Sequence, residues 1–104
     1  DAAKEQNKYA IGVDSDQKYI DPDHILCSMK KDIGGSVYSV VAQYIKDGTF
    51  NGGTIWDADM TSGFVGIGYG DDTVTQQVSD DLKAEVKTLT DKIISGEIVV
   101  DTTR

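Results

Sequence analysis

Two carboxylates, Asp14 and Asp16, follow a short apolar run, Tyr9-Ala10-Ile11-Gly12-Val13. Such a run ending in acids is the pattern of a strand whose carboxyl end opens onto polar surface. Open α/β sheets bind ligands at those carboxyl ends, so the acids mark a candidate site. Carboxylates accept hydrogen bonds, which points to a ligand rich in hydroxyl or amine donors. Lys30 and Lys31 follow a second apolar run, Ile25 to Met29. A lysine there can reach the same cleft, although a solvated basic pair is the plainer reading. Ser28 lies inside that run, and no GxSxG surrounds it, so it is not a hydrolase serine.

Other chemistries fail on residue type or spacing. Asp14-Ser15-Asp16 opens like a calcium loop, but the fifth, sixth and twelfth positions hold Lys18, Tyr19 and Ile25 where that loop needs Asp or Asn, Gly and Glu. Gly66-x-Gly68-x-Gly70 has the wrong spacing for a dinucleotide loop, and Asp71-Asp72 would repel a pyrophosphate. These glycines instead suit a strand close to other backbone. His24 and Cys27 are the only histidine and cysteine. They exclude an internal disulfide and paired-cysteine metal sites, and a buried, inert thiol is the simpler reading of Cys27. An acid–base pair of Asp14 and Asp16, as in glycoside hydrolysis, has no other residue in support. No catalytic residue, metal or cofactor is expected. Trp56 and Tyr69 could stack on a planar ligand, although packing is their commoner use.

The elements that must position these residues come from a chain of 104 residues, the size of one small domain. With 38% hydrophobic and 27% charged residues it reads as globular. A net charge of -8 argues against a nucleic-acid partner. No apolar run approaches the ~18 residues of a membrane span. The chain starts DAAKEQNK without an initiator Met, and reads as the interior and end of something longer. Tyr9 to Val13 and Ile25 to Met29 are expected as buried strands, with a loop over 14–23 between them. Gly34 to Asp47 is expected as a helix: Val37, Val40, Val41, Tyr44 and Ile45 share one face, and Gly48 suits its left-handed end. Thr54 to Trp56 and Phe64 to Gly70 read as strands. Thr73 to Ser95 reads as a second helix, with Val78, Leu82, Val86, Leu89 and Ile93 on one face and capping-box spacing at Thr73 and Gln76. Glu97 to Val100 reads as a last strand. Strands alternating with helices imply an α/β layer structure, with too few helices to cover both faces of a doubly wound sheet.

Several blocks resemble the carboxyl-terminal part of the basic membrane protein family, lipoprotein substrate-binding proteins of ABC transporters that include purine nucleoside receptors. The blocks are Ile11-Gly12-Val13-Asp14-Ser15-Asp16-Gln17, Ile25-Leu26-Cys27-Ser28-Met29-Lys30-Lys31, Asp47-Gly48-Thr49-Phe50, Gly63-Phe64-Val65-Gly66-Ile67-Gly68 and Gly96-Glu97-Ile98-Val99-Val100. They run in the family's order over residues 9–104. GVDSDQ with the downstream SMxK is the specific part. Cys27 stands where a Thr or similar small residue is expected, a change of packing only.

The resemblance implies a fragment of a type I periplasmic-binding-protein fold, a mostly parallel sheet flanked by helices and incomplete on its own. In that fold two α/β lobes close on a ligand and the chain crosses the hinge three times. Residues 9–24 would belong to the second lobe, 25–62 to a hinge crossing and a first-lobe element, and 63–104 to the return into the second lobe. The resemblance makes Asp14 the ribose-binding carboxylate and Lys31 the ribose-binding lysine, with Asp16 and Ser28 as secondary positions; Asp16 suits loop ordering better than ligand contact. It implies a nucleoside-like ligand, an ABC permease as partner of the full-length protein, and lipid anchoring at the cell surface or in the periplasm. The base-gripping residues would lie outside this chain, so the isolated piece is expected to bind weakly and to dimerise through exposed apolar surface. The alternative is a small stand-alone α/β interaction domain with no ligand of its own.

Overall fold

The computed structural model describes residues 1–101, an α/β arrangement of three strands and three helices. Within them α1 spans Ala2–Glu5, β1 Ala10–Asp14, β2 Ile25–Lys31, α2 Ile33–Asp47, β3 Val65–Gly68 and α3 Asp80–Ile94. The order in the sheet is β1-β2-β3, and the sheet is mixed. β1 runs parallel to β2, with Ile11 opposite Cys27 and Asp14 opposite Lys30. β3 runs antiparallel to β2, with Lys31 opposite Val65 and Ser28 opposite Gly68. The carboxyl ends of β1 and β2 and the start of β3 therefore meet at one end of the sheet. Parallel strands are usually joined by a crossover helix. Here residues 15–24 make the connection with a single 3₁₀ turn, Lys18–Ile20, which keeps the loop close to the strands it joins.

Local capping sets the helix ends. The Asp32 carboxylate accepts the Gly35 N–H at 2.8 Å and starts α2. Gly48, at φ +74°, ends it, with its N–H donating to the Tyr44 carbonyl. α3 begins later than the expected Thr73. The Asp71 carboxylate captures the Thr73 N–H at 2.8 Å, and the Gln76 amide donates to the Tyr69 carbonyl. These side-chain bonds compete with helix formation. The N-cap is instead Ser79, whose Oγ accepts from the Leu82 N–H, and Asp80 and Asp81 in the first turn suit the helix dipole.

Two expected strands do not form. Thr54 to Trp56 pairs with no strand among the described residues. It is held instead by Trp56 packed edge-on against Phe64, with ring centres 5.4 Å apart. Glu97 to Val100 also pairs with no strand among the described residues. There the Ile98 N–H returns to the Lys92 carbonyl and the Glu97 carboxylate takes the Lys92 ammonium at 2.8 Å, folding the chain back on the end of α3. The last three residues of the expected 63–104 segment lie outside the described residues.

The expectation of buried strands is also corrected. Among the described residues no apolar side chain is fully buried, and Ile11 and Val13 of β1 are exposed. The fully buried side chains among the described residues are Lys18 and Ser28. The radius of gyration is 16.9 Å, against about 13 Å for a compact chain of this length. Packing between elements is concentrated within the sheet and between β2 and the 3₁₀ turn. The apolar faces of the long helices, including Val37, Val41 and Tyr44 on α2 and Leu82 and Leu89 on α3, stay open. Their amphipathic pattern specifies helices, but these residues supply no partner layer for them.

Candidate functional site

The site grows from the end of β1. Asp14 has φ +74°, and the Ser15 N–H closes onto the Val13 carbonyl at 3.0 Å. That bond across a single residue with positive φ is the strained form of the γ-turn. Aspartate tolerates the left-handed region better than most residues, and the turn projects its side chain off the end of the strand. The neighbouring strand supplies the partner: the Lys31 ammonium lies 2.8 Å from the Asp14 carboxylate. The pair is accessible, with Asp14 64% and Lys31 48% exposed. An exposed ion pair contributes only ~0–1 kcal/mol to stability, so a ligand can intrude on it at small cost to the fold. It borders an open cleft of about 490 Å³, whose apolar side is formed by Phe64 and Val65 leading into β3.

Asp16 also borders the cleft, but its two oxygens serve the backbone. One accepts the Lys18 N–H at 3.2 Å and the other the Gly70 N–H at 2.9 Å. It thus ties the loop after β1 to the end of β3. Gly68 permits this reach, because a Cβ there would collide with the Asp16 carboxylate. Ser28 is fully buried, away from the cleft lining, and its Oγ accepts the Gln17 N–H at 3.0 Å. Gly12 leaves room for that hydroxyl, since an added Cβ would lie 2.5 Å from the Ser28 Oγ. Lys30 is exposed and lines the cleft beside Lys31.

Lys18 was not singled out by its sequence position. It is fully buried, and its ammonium donates to the Pro22 carbonyl at 3.0 Å, the Ile25 carbonyl at 2.6 Å and the Gln77 side-chain oxygen at 2.5 Å. Burial pushes its pKa down, opposed by the charges of Asp16, Cys27 and Asp23. A lysine in a polar loop carries no burial signal. Only three acceptors gathered from positions 22, 25 and 77 make its burial tolerable.

The remaining candidates have structural partners. His24 Nδ1 lies 3.0 Å from the Asp21 carboxylate, and burial raises the Cys27 thiol, so the pair lacks the lowered thiol that nucleophilic chemistry requires. Asp14 and Asp16 have separate partners and share no proton site. Tyr69 lies under the Lys83 ammonium, 5.3 Å from its ring centre. Among the described residues no cluster of His, Cys, Asp or Glu could hold a metal, and no helix is long and apolar enough to cross a membrane.

The family model described as ABC transporter substrate-binding protein PnrA-like, Bmp, matches residues 1–104. Basic membrane protein C of Borreliella burgdorferi strain N40 is 41% identical over 102 residues, covering 96% of this chain and 28% of the relative. Basic membrane protein A of Borreliella burgdorferi strain ATCC 35210 is 35% identical over 92 residues, covering 88% of this chain and 26% of the relative. Basic membrane protein B of Borrelia garinii subsp. bavariensis is 33% identical over 104 residues, covering 96% of this chain and 27% of the relative. The chain therefore spans little more than a quarter of the length of these curated relatives. With the whole of its length matched, the chain belongs to the Bmp family of PnrA-like ABC transporter substrate-binding proteins.

Proposed function

We propose that this chain forms one wall of the ligand cleft in an extracytoplasmic substrate-binding component of an ABC importer, and that the ligand carries a ribose, as a purine nucleoside does. The observation that carries the reading is the accessible Asp14–Lys31 pair, 2.8 Å apart, at the mouth of the cleft. A carboxylate accepts two hydroxyl hydrogen bonds from a vicinal diol, and an ammonium donates to the same oxygens. Each such charge-assisted bond contributes roughly 1.5–3 kcal/mol. Phe64, on the apolar side of the cleft, suits the face of a sugar or base. This is binding chemistry and needs neither a cofactor nor a catalytic group.

In the longer protein the ligand would be closed between two lobes and delivered to a membrane permease from a lipid-anchored position at the cell surface or in the periplasm. Residues 9–24 and 63–104 belong to one lobe in this reading. β2 is the crossing strand, paired with β1 on one side and β3 on the other, and leads to α2 in the other lobe. The open apolar faces of α2 and α3 and the absence of a buried apolar side chain among the described residues weigh against a stand-alone interaction domain.

The test is calorimetric titration of the full-length protein with adenosine, guanosine and inosine and with their 2′,3′-dideoxy counterparts. Ribonucleosides should bind and the dideoxy compounds should bind far more weakly. Absence of nucleoside binding, or indifference to the diol, overturns the ribose assignment.

A further inference from the structure

Among the described residues the Asp14 side chain has one ion-pair partner, Lys31, and it is largely exposed. Its direction therefore depends on the strained turn at its own backbone. That turn is anchored on one side by β1. On the other side it leads into residues 15–20, whose 3₁₀ turn packs against β2. Strain of this kind persists only where the surroundings over-determine it. The surroundings are three ties. The Gln17 N–H reaches Ser28 on β2, Asp16 reaches Gly70 after β3, and the Lys18 ammonium reaches Pro22, Ile25 and Gln77.

The third tie is the widest. It joins the loop to the start of β2 and to the segment leading into α3, and all three ammonium hydrogens are used. Gln77 closes the ring by donating its own amide to the Pro22 carbonyl at 2.6 Å. The Lys18 N–H also holds Asp16, so the lysine joins two of the three ties. An ordinary surface lysine would leave the loop free to relax the turn.

We infer that Lys18 is a positioning residue for ligand binding: its buried ammonium, clamped between the loop and Gln77, holds the turn that aims Asp14 at the diol. The inference rests on the ribose reading of the cleft. Lys18 does not touch the ligand. It preorganises the carboxylate, so its loss weakens recognition of the diol specifically.

The experiment compares wild-type full-length protein with Lys18→Met, which keeps the stem and removes the donors, and with Gln77→Leu, which removes one acceptor of the ammonium and the amide donor to Pro22 but leaves the lysine in place. Each is titrated with adenosine and 2′,3′-dideoxyadenosine, and amide hydrogen exchange is followed at Ser15 and at Lys83 in α3. Preference for adenosine should fall on the order of tenfold in Lys18→Met, the loss of about one charge-assisted bond. The fall should be smaller in Gln77→Leu, and should nearly vanish when Lys18→Met is made in an Asp14→Ala background. Ser15 exchange should quicken in both variants relative to Lys83. If Lys18→Met does not fold, Gln77→Leu supplies the same readings. Unchanged preference or unchanged Ser15 exchange in a folded variant overturns the positioning role. A wild-type preference that Asp14→Ala abolishes would still uphold the ribose reading. A wild type with no preference overturns both.

Discussion

Substitutions at Asp14 should separate backbone strain from ligand recognition, because alanine and glycine differ in stability there but not in the contacts they take from a ligand. At an ordinary strand position alanine is more stable than glycine by roughly 0.5–1 kcal/mol. Asp14 has φ +74°, where a side chain costs about 1–2 kcal/mol. Asp14→Ala and Asp14→Gly both lose the exposed ion pair to Lys31, so that loss cancels between them. Glycine removes the strain and gives back part of it in unfolded-chain entropy. Asp14→Gly should therefore unfold at higher denaturant than Asp14→Ala, by roughly 0.5–1 kcal/mol. Binding should not follow that order. Both variants lose two charge-assisted bonds to the diol, about 3 kcal/mol or a hundredfold in affinity. Asp14→Asn keeps one acceptor oxygen and should lose roughly tenfold. Urea denaturation of the set, with calorimetric titration of adenosine, reads both. Alanine more stable than glycine would refute the account of the turn. Asp14→Ala binding adenosine as the wild type does would refute the diol contact.

Other outcomes follow from single features. Gly12→Ala places a methyl 2.5 Å from the Ser28 Oγ, and should cost about 1–3 kcal/mol in urea denaturation, as overpacking does; an unchanged midpoint would show that β1 and β2 are not in this contact. Three carboxylates, Asp59 and Asp71 exposed and Asp21 half-buried, are held below their usual range: Asp21 chiefly by the His24 side chain, Asp59 by the Ser62 N–H and Asp71 by the Thr73 hydroxyl. Their folded pKa values lie below the unfolded ones, so their stabilisation is present above about pH 4 and is lost as pH falls through the depressed values. Asp71→Asn should accordingly flatten the acid limb of a stability–pH profile between pH 7 and 2.5, and an identical limb would contradict the Thr73 contact. The 104-residue chain alone, with its open helix faces, should bind a hydrophobic dye and associate in sedimentation velocity. A monomer with a cooperative melt and no dye binding would favour the stand-alone domain.

Much of the element pattern was legible because it rests on local chemistry. The apolar runs of β1 and β2, the apolar face and glycine stop of α2, and the acids beyond β1 each depend on neighbours a few residues away. The errors lie where a local pattern met competing partners. Thr73 and Gln76 have capping-box spacing, but Asp71 and the Tyr69 carbonyl claim them. Glu97 to Val100 has strand composition, but Lys92 draws it back onto α3. Thr54 to Trp56 has no adjacent strand edge among the described residues.

The candidate site divides along the same line. Sequence by itself determined which groups could do the chemistry, because an acid after an apolar run and a lysine after another are visible as residue types. Tertiary structure alone decided that they meet. Parallel pairing of β1 and β2 sets Asp14 opposite Lys30, so that Lys31, one residue on, reaches the carboxylate. It also decided that Asp16 serves backbone N–H groups, that Ser28 is buried, and that Lys18 is enclosed by acceptors as far along the chain as Gln77. Burial and hydrogen-bond satisfaction belong to the assembled environment of a side chain, which residues distant in sequence supply.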